Sequence, residues 1–402
     1  MVKNSVAFLL VFLCFFSETN LCFAKREAIG FPRARLRKTQ RALLQTKYQI
    51  DESHVTLPKG KTVEMVRQED KGILCLLPDD RCAWLSKDKL RVLPITNQRR
   101  AYLRSLFRRK GKLGKQKLPP WLSYRIVRTN SLSLHLVVGE LTAAPSPCLV
   151  PIVSKNFDLR VKNHKVNWRG RWLPTKGQSF LTCTPLAISG TFIATNPEDL
   201  GSPLGPITYS HELIHDSSTL FRSPPARAYL AETDGGRMVI SNGGKSASNL
   251  LNLARSGELL ENELEPGEQV VTLVGGLGLL ASKGNPRVWR HYVDKQFQPS
   301  YYGGFARRSQ VLLGVDKDKL RFFVLFQEGR PRSRLPLTLP QLTQVLVGSG
   351  ASEVAFADGG DSARMWLFGK LVTPLTKRGH RRRLSNVISF GRPLRKQSPK
   401  VQ

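Results

Sequence analysis

Ala357-Asp358-Gly359-Gly360-Asp361-Ser362-Ala363-Arg364-Met365 is the stretch on which the reading of this chain turns. The run before it, Glu353 to Ala357, has the apolar character of a short buried strand. Two glycines and a serine then break the regularity. Met365 to Phe368 resume as a strand, and Gly369-Lys370 make a turn. A carboxylate at a strand end, followed by glycines, leaves backbone N–H groups open to a ligand. Ser362 adds a hydroxyl and Asp361 a second carboxylate. A tight turn with solvated aspartates is the plain alternative, so the meaning of the stretch depends on what surrounds it.

Working outward, strands dominate. Tyr124 to Thr129 and Leu132 to Gly139 alternate as strands, and Leu186 to Phe192 is apolar around Gly190. Ala226 to Glu232 and Arg237 to Ser241 read as a hairpin about Thr233-Asp234-Gly235-Gly236. Val270 to Leu280 is apolar and rich in glycine. Gln310 to Val315 and Leu320 to Phe326 form a further pair around Asp316-Lys317-Asp318-Lys319. Two helices stand out. Ser248 to Glu261 carries Leu250, Leu251 and Ala254 on one face. Thr338-Leu339-Pro340-Gln341 fits a capping box, with Leu339, Leu342, Val345 and Leu346 as the buried stripe and Gly348 and Gly350 at the end. The pattern predicts an α+β fold with a mixed sheet over residues 121–391.

Four segments in this region, taken in order, resemble the phosphodiester glycosidase family. They are Ala187-Ile188-Ser189-Gly190-Thr191-Phe192 with Asn196 and Pro203-Leu204-Gly205; Val274-Gly275-Gly276-Leu277-Gly278-Leu279-Leu280; Arg308-Ser309-Gln310-Val311-Leu312-Leu313-Gly314-Val315; and Asp358 to Met365, followed by Leu384-Ser385-Asn386-Val387. The resemblance implies hydrolysis of a sugar-1-phosphodiester to free sugar and a phosphomonoester. It makes Asp358, Ser362 and Arg308 the candidate catalytic residues, with Asp358 as acid/base or as ligand to a divalent cation. A guanidinium such as Arg308 can bind phosphate oxygens in bidentate fashion. Thr191, Asn196, Asp361 and Asn386 are candidates for holding sugar or phosphate, and the N–H groups of Gly275, Gly276, Gly359 and Gly360 are candidate phosphate donors. Glycoside cleavage usually takes two carboxyl groups, and Asp361 and Glu232 are candidates for the second. The chain departs from the family pattern at Ser189 (asparagine), Ile193 (phenylalanine), Asp361 (glycine) and Arg364 (threonine). These departures raise an alternative, a protein that binds an anionic envelope glycan without turning it over.

A rival motif is His211-Glu212-Leu213-Ile214-His215. On a helix the two histidines would face one way and hold zinc, with Glu212 as base of a metallopeptidase. Gly205-Pro206 before it and Asp216-Ser217-Ser218 after it leave little room for a helix, so a surface turn is the better reading.

The remainder of the chain bears on compartment and partner. Val6 to Phe16 is an apolar run behind a basic start and before Cys22-Phe23-Ala24, which predicts a signal peptide over 1–24 and a secreted, periplasmic or cell-envelope protein. The formal net charge of +33 favours a polyanionic partner, and the export signal directs that preference to a phosphate-bearing glycan, cell-wall polymer or anionic envelope surface rather than nucleic acid. Lys25 to Lys47 reads as an irregular basic arm. Residues 48–96 hold closely spaced short strands whose order of features is similar to a bacterial-type SH3 domain, a small all-β barrel. Residues 97–120 read as a basic linker, with Tyr102, Leu103, Leu106 and Phe107 at helical spacing, and 392–402 as a basic tail. Cys75, Cys82, Cys148 and Cys183 remain after the signal; Cys75 and Cys82 flank a turn and could pair locally.

Overall fold

The structure is a computed structural model. It describes residues 33–45, 50–69, 72–77, 82–97, 100–101, 108–110, 112–113, 116–128, 133–153, 159–162, 165–168, 184–191, 203, 205–215, 228–242, 252, 256, 265, 267–286, 309–329, 337, 339–360, 362–372, 384 and 386–391. The signal peptide, the helical spacing over 102–107, nearly all of the 248–261 helix, the cap at Thr338 and the basic tail lie outside these residues. The chain divides into two compact units near Leu93.

The first unit is a seven-stranded sheet. It comprises β1 (Arg33–Leu36), β2 (Gln40–Gln45), β3 (Ile50–Leu57), β4 (Thr62–Glu69), β5 (Gly72–Leu76), β6 (Cys82–Leu85) and β7 (Leu90–Val92), in spatial order β3-β2-β6-β5-β4-β1-β7. Two expectations change here. The basic arm is not irregular over 33–45: Ala34, Leu36, Ala42 and Leu44 are buried, while Arg33, Arg35 and Arg41 between them are exposed. That period-2 pattern is a half-buried strand whose few apolar residues alternate with the charges around them. The sheet is also open, with β3 at one edge and β7 at the other, so no closed barrel forms. Cys75 lies opposite Ala83, and Cys82 opposite Leu76. A one-residue offset in an antiparallel pair puts two positions on opposite faces, which disfavours the local disulfide.

The second unit is mostly β-sheet. Its strands are β8 (Arg108–Lys110), β9 (Lys112–Leu113), β10 (Gln116–Lys117), β11 (Leu122–Arg128), β12 (Ser133–Glu140), β13 (Leu149–Val153), β14 (Leu159–Lys162), β15 (Lys165–Trp168), β16 (Leu186–Ser189), β17 (Ile207–Tyr209), β18 (Glu212–His215), β19 (Ala228–Thr233), β20 (Met238–Asn242), β21 (Val270–Ser282), β22 (Asn285–Pro286), β23 (Gln310–Val315) and β24 (Arg321–Gln327). The helix α1 (Leu339–Ser349) follows, and then β25 (Glu353–Gly359), β26 (Met365–Leu367), β27 (Lys370–Leu371) and β28 (Asn386–Phe390). The expected α+β balance is thus shifted toward β, with few helices.

A twelve-stranded sheet, antiparallel in every described pair rather than mixed as expected, runs β18-β17-β21-β25-β23-β24-β12-β11-β8, with β19 and β22 paired to β21 and β20 paired to β19. Part of the expected linker, Arg108–Lys110, is therefore an edge strand paired to β11. A five-stranded sheet, β13-β28-β16-β26-β27, packs on one face of the large sheet. Their shared core takes Val311, Leu313, Phe322, Val324, Phe326 and Ala355 from the large sheet, and Leu186, Ile188, Met365, Ile388 and Phe390 from the small one. On the opposite face α1 covers β21, β23 and β25, with Leu342, Val345 and Leu346 fully buried as its stripe. Three layers follow, because each sheet and the helix bury one apolar face against the next.

Candidate active site

Two irregularities place Asp358. Along β25, Ala355 pairs with Leu313 and Phe356 with Leu312, but Asp358 pairs with Val311, so Ala357 is an extra residue in the ladder. Strict alternation would put Asp358 with Phe356, on the side of α1. The bulge turns it instead to the side of Val311, between the two sheets. At Gly360 the backbone then enters the left-handed region (φ +83°), which favours glycine.

Asp358 is held from its own loop. Ser362 Oγ donates to Asp358 Oδ1 at 2.9 Å, and the Gly359 N–H donates to the same oxygen at 2.7 Å. Ser189 stands at the end of β16 in the small sheet. The Arg364 N–H donates to Ser189 Oγ at 2.9 Å, and the Ser189 N–H to the Arg364 carbonyl at 3.0 Å, extending the β16–β26 ladder of the small sheet. Burial pushes the Asp358 carboxyl above the ordinary aspartate range; the Ser189 and Ser362 hydroxyls, the Gly359 N–H and the Arg364 charge act the other way. Arg364 is itself fully buried, and burial brings its guanidinium down to about 10, with the Asp358 charge opposing that fall.

Thr191 and Asn386 form the adjoining pair. Asn386 Oδ1 accepts from the Thr191 N–H at 2.7 Å, and Asn386 Nδ2 donates to Thr191 Oγ1 at 3.4 Å. Gly190 between Ser189 and Thr191 is obligatory: a Cβ there would lie 1.3 Å from Asn386 Oδ1. The fold therefore gathers Asp358, Ser362, Thr191 and Asn386 from the sequence expectation, and adds Ser189 and Arg364. The signal for these two is visible in hindsight. Each is a polar residue against an apolar strand, Leu186-Ala187-Ile188 in one case and Met365-Trp366-Leu367 in the other.

The glycines have other duties. The Gly275 N–H donates to the Pro206 carbonyl at 2.8 Å, and a Cβ on Gly205 would stand 2.0 Å from the Gly276 nitrogen. These glycines allow the 205–206 segment to lie against β21. The Gly359 N–H is taken by Asp358, and the Gly360 N–H donates to the Ser309 carbonyl at 2.8 Å. The N–H groups of Gly275, Gly359 and Gly360 are thus spent within the fold and are not open phosphate donors. Arg308, Asn196 and Asp361 lie outside the described residues.

Glu232 does not act as a second carboxylate at an open site. It is buried, and its two oxygens accept the Cys148 and Leu149 N–H groups at 2.7 and 2.5 Å, which ties β19 to the start of β13. Burial raises its carboxyl above the ordinary glutamate value and outweighs the two N–H bonds. An acid raised in the folded state binds protons there that the unfolded chain has already lost, so stability falls as pH rises from the ordinary value through the raised one. Glu232→Gln is expected to flatten that decline, while costing about 1–3 kcal/mol, because the amide Nε2 cannot accept and one of the two backbone N–H groups loses its partner. Denaturant midpoints of both proteins across acidic to neutral pH check this.

The His-Glu-x-x-His segment is a hairpin. Ser210 and His211 occupy its turn at φ 49° and 66°, and Glu212–His215 is a strand paired to β17. The helix needed to align two histidines is missing, and His215 Nε2 bonds the Pro203 carbonyl at 3.0 Å. The zinc-peptidase alternative fails on that geometry. Two successive left-handed positions define a turn that favours glycine, so His211→Gly is expected to raise stability by about 0.5–1 kcal/mol, read as a higher melting temperature. Among the described residues no three His, Cys, Asp or Glu side chains group as metal ligands.

A second buried polar group stands on the same face of the large sheet. Asp358, Val311, Phe326 and His135 follow one another across four strands. Tyr124 Oη and His135 Nδ1 are 2.6 Å apart, and His135 Nε2 and Glu328 Oε1 3.1 Å. His135 and Glu328 are almost fully buried, so this group reads as a satisfied core network beside the site.

A phosphodiester glycosidase family model matches residues 183–390, slightly more than half of the chain. Among solved structures, the zebrafish N-acetylglucosamine-1-phosphodiester alpha-N-acetylglucosaminidase catalytic domain, auto-inhibited by its pro-peptide, is similar at 15% identity, covering 72% of this chain and 92% of that one with a TM-score of 0.45. A hypothetical protein from Synechocystis is similar at 12% identity, covering 90% of this chain and 81% of that one with a TM-score of 0.41. No curated protein matches.

Proposed function

The chain belongs to the phosphodiester glycosidase family, and on that premise we propose that it hydrolyses a sugar-1-phosphodiester in a glycan or envelope polymer. Water adds at the anomeric carbon as the bond from that carbon to the phosphate oxygen breaks, leaving free sugar and a phosphomonoester. The observation that carries the reading is the placement of Asp358: a bulge turns it between the sheets, and the Ser362 hydroxyl and the Gly359 N–H hold it there. Asp358 acts as the acid/base at the anomeric centre, and Thr191 and Asn386 orient the sugar. Arg308 receives the phosphate in this reading, on the strength of its motif alone.

The chain's +33 net charge supports an anionic target, and the apolar run Val6 to Phe16 behind a basic start supports export with cleavage after Ala24. The N-terminal unit, SH3-like in its order of features, would add affinity for wall or envelope glycan. A panel of sugar-1-phosphodiesters incubated with the purified protein tests the activity: release of free sugar and phosphomonoester in equal amounts is expected. Salt-sensitive binding without turnover of any diester would favour the second reading, a non-catalytic binder of anionic glycan. That reading draws on the glycine N–H groups being occupied within the fold.

A further inference from the structure

We propose that the exposed face of β1 and β7 is a docking surface for a phosphate-bearing polymer, with Arg35, Arg37, Lys89 and Arg91 as its anion-binding group. The inference extends the reading of the target as a phosphate-bearing glycan by giving the first unit a place to hold such a polymer, and its test needs no turnover.

The register sets like charges against one another. Arg35 on β1 stands directly opposite Arg91 on β7. The Arg37 N–H donates to the Lys89 carbonyl at 2.8 Å, which brings a second basic pair to the next rung. Side chains opposed in this way have Cβ atoms about 4.5–5.5 Å apart, and like charges there are unfavourable. Arg33, Arg35 and Arg37 alternate with the buried Ala34 and Leu36, so they share one face at a spacing of about 7 Å along the strand. These three and Arg91 are exposed, and Lys89 is half-buried. On the other flank, β4 sets Thr62 against Arg35 and Glu64 against Arg33. Glu64 Oε1 lies 3.6 Å from Arg33 Nε. The one other acid among the described side chains of this unit is Asp88, which accepts from Ser86 and whose charge meets those of Lys89 and Lys38. Among the described residues no ion pair takes up Arg35, Arg37 or Arg91. A chain of repeated anions relieves the repulsion that the ladder imposes, and guanidinium groups bind phosphate oxygens in bidentate fashion. A membrane fits less well, because elements that lie on membranes add apolar side chains. Among the described residues the exposed large apolar ones, Leu213, Ile214 and Leu320, all belong to the second unit.

The probe is fluorescently labelled long-chain inorganic polyphosphate, titrated into the full chain at several salt concentrations. Combining Arg35→Gln, Arg37→Gln and Arg91→Gln is expected to weaken binding by about 10–100-fold and to flatten the slope of log Kd against log salt by about 2. A control with the same change in charge combines Arg41→Gln, Lys317→Gln and Lys370→Gln, three exposed cations outside this face. It is expected to weaken binding by less than about threefold. Equal losses in the two variants overturn the proposal, because diffuse net charge then accounts for the binding. Anionic phospholipid vesicles form a second arm: vesicle binding that the first variant loses while its polyphosphate binding persists makes the face a membrane surface and overturns the polymer reading. The third measurement is the melting temperature without ligand. Arg35→Gln is expected to match or exceed wild type, because it removes a repulsion; a clear fall means that the row serves the fold, which overturns the proposal. Face-dependent polyphosphate binding with no turnover of any diester would count against the hydrolase reading alone, and turnover without face-dependent binding against this inference alone.

Discussion

Asp358→Asn is expected to abolish release of free sugar, lowering kcat by about 10²–10⁴-fold while KM for the diester changes little. Asparagine keeps the shape of the side chain and can still accept the Ser362 hydrogen bond, now 2.9 Å long. What it loses is the capacity to carry charge and exchange a proton. Because the bulge at Ala357 and the left-handed Gly360 are backbone features, the variant keeps the loop geometry. The loss would therefore be one of chemistry rather than folding. Ser362→Ala removes one donor from the same carboxylate and is expected to have a smaller effect. Steady-state kinetics on a hydrolysable sugar-1-phosphodiester decide the matter, with near-normal turnover by Asp358→Asn enough to remove this residue from the mechanism.

Phe322→Ala is expected to cost about 3–5 kcal/mol of stability, and with it much of the activity. Phe322 on β24 stacks on Phe390 of the small sheet, with ring centroids 4.5 Å apart and planes 11° apart, and it touches Trp121 at 6.3 Å between centroids. The ring occupies the space above Gly139, where a Cβ would come within 2.1 Å of it. Removing it opens a cavity between the two sheets that neighbours from different sheets cannot close together. Phe390 ends the strand that begins at Asn386, and β28 pairs with β16, which ends at Ser189. Loosening that contact loosens the registration of Ser189 and Asn386 against Asp358. Phe322→Leu, which refills most of the volume, is expected to cost about 1–2 kcal/mol, and Gly139→Ala to cost about 1–3 kcal/mol by overpacking. Thermal and denaturant unfolding measured beside activity would test the link: a strongly destabilised Phe322→Ala that retains full turnover at low temperature would break it.

Local patterning was legible in the chain. The strand pair over Gln310 to Val315 and Leu320 to Phe326, the apolar run ending at Ala357 and the stripe of α1 all became the elements they predict. Each is stabilised by a face that its own neighbours in sequence define. Strands over 33–45 were not legible, because Arg33, Arg35 and Arg41 dominate a composition in which the buried residues, Ala34, Leu36, Ala42 and Leu44, are few. The His-Glu-x-x-His segment carried a helical motif, yet its pairing with β17 made it a strand. Pairing depends on a partner distant in the chain, which a local motif does not record.

By itself the sequence determined the residue types of the site, its strand-and-turn setting and its family, since these depend on spacing along the chain. Tertiary structure alone decided how those residues are used. The extra residue at Ala357, detectable only against β23, sets the side of the sheet that Asp358 faces. Contacts from distant segments took up the Gly275 and Gly360 N–H groups, committed Glu232 to Cys148 and Leu149, and buried Arg364. Charge, burial and hydrogen bonding at a point in space depend on every segment that reaches it, and Thr191 and Asn386, bonded to one another here, stand 195 residues apart in the chain.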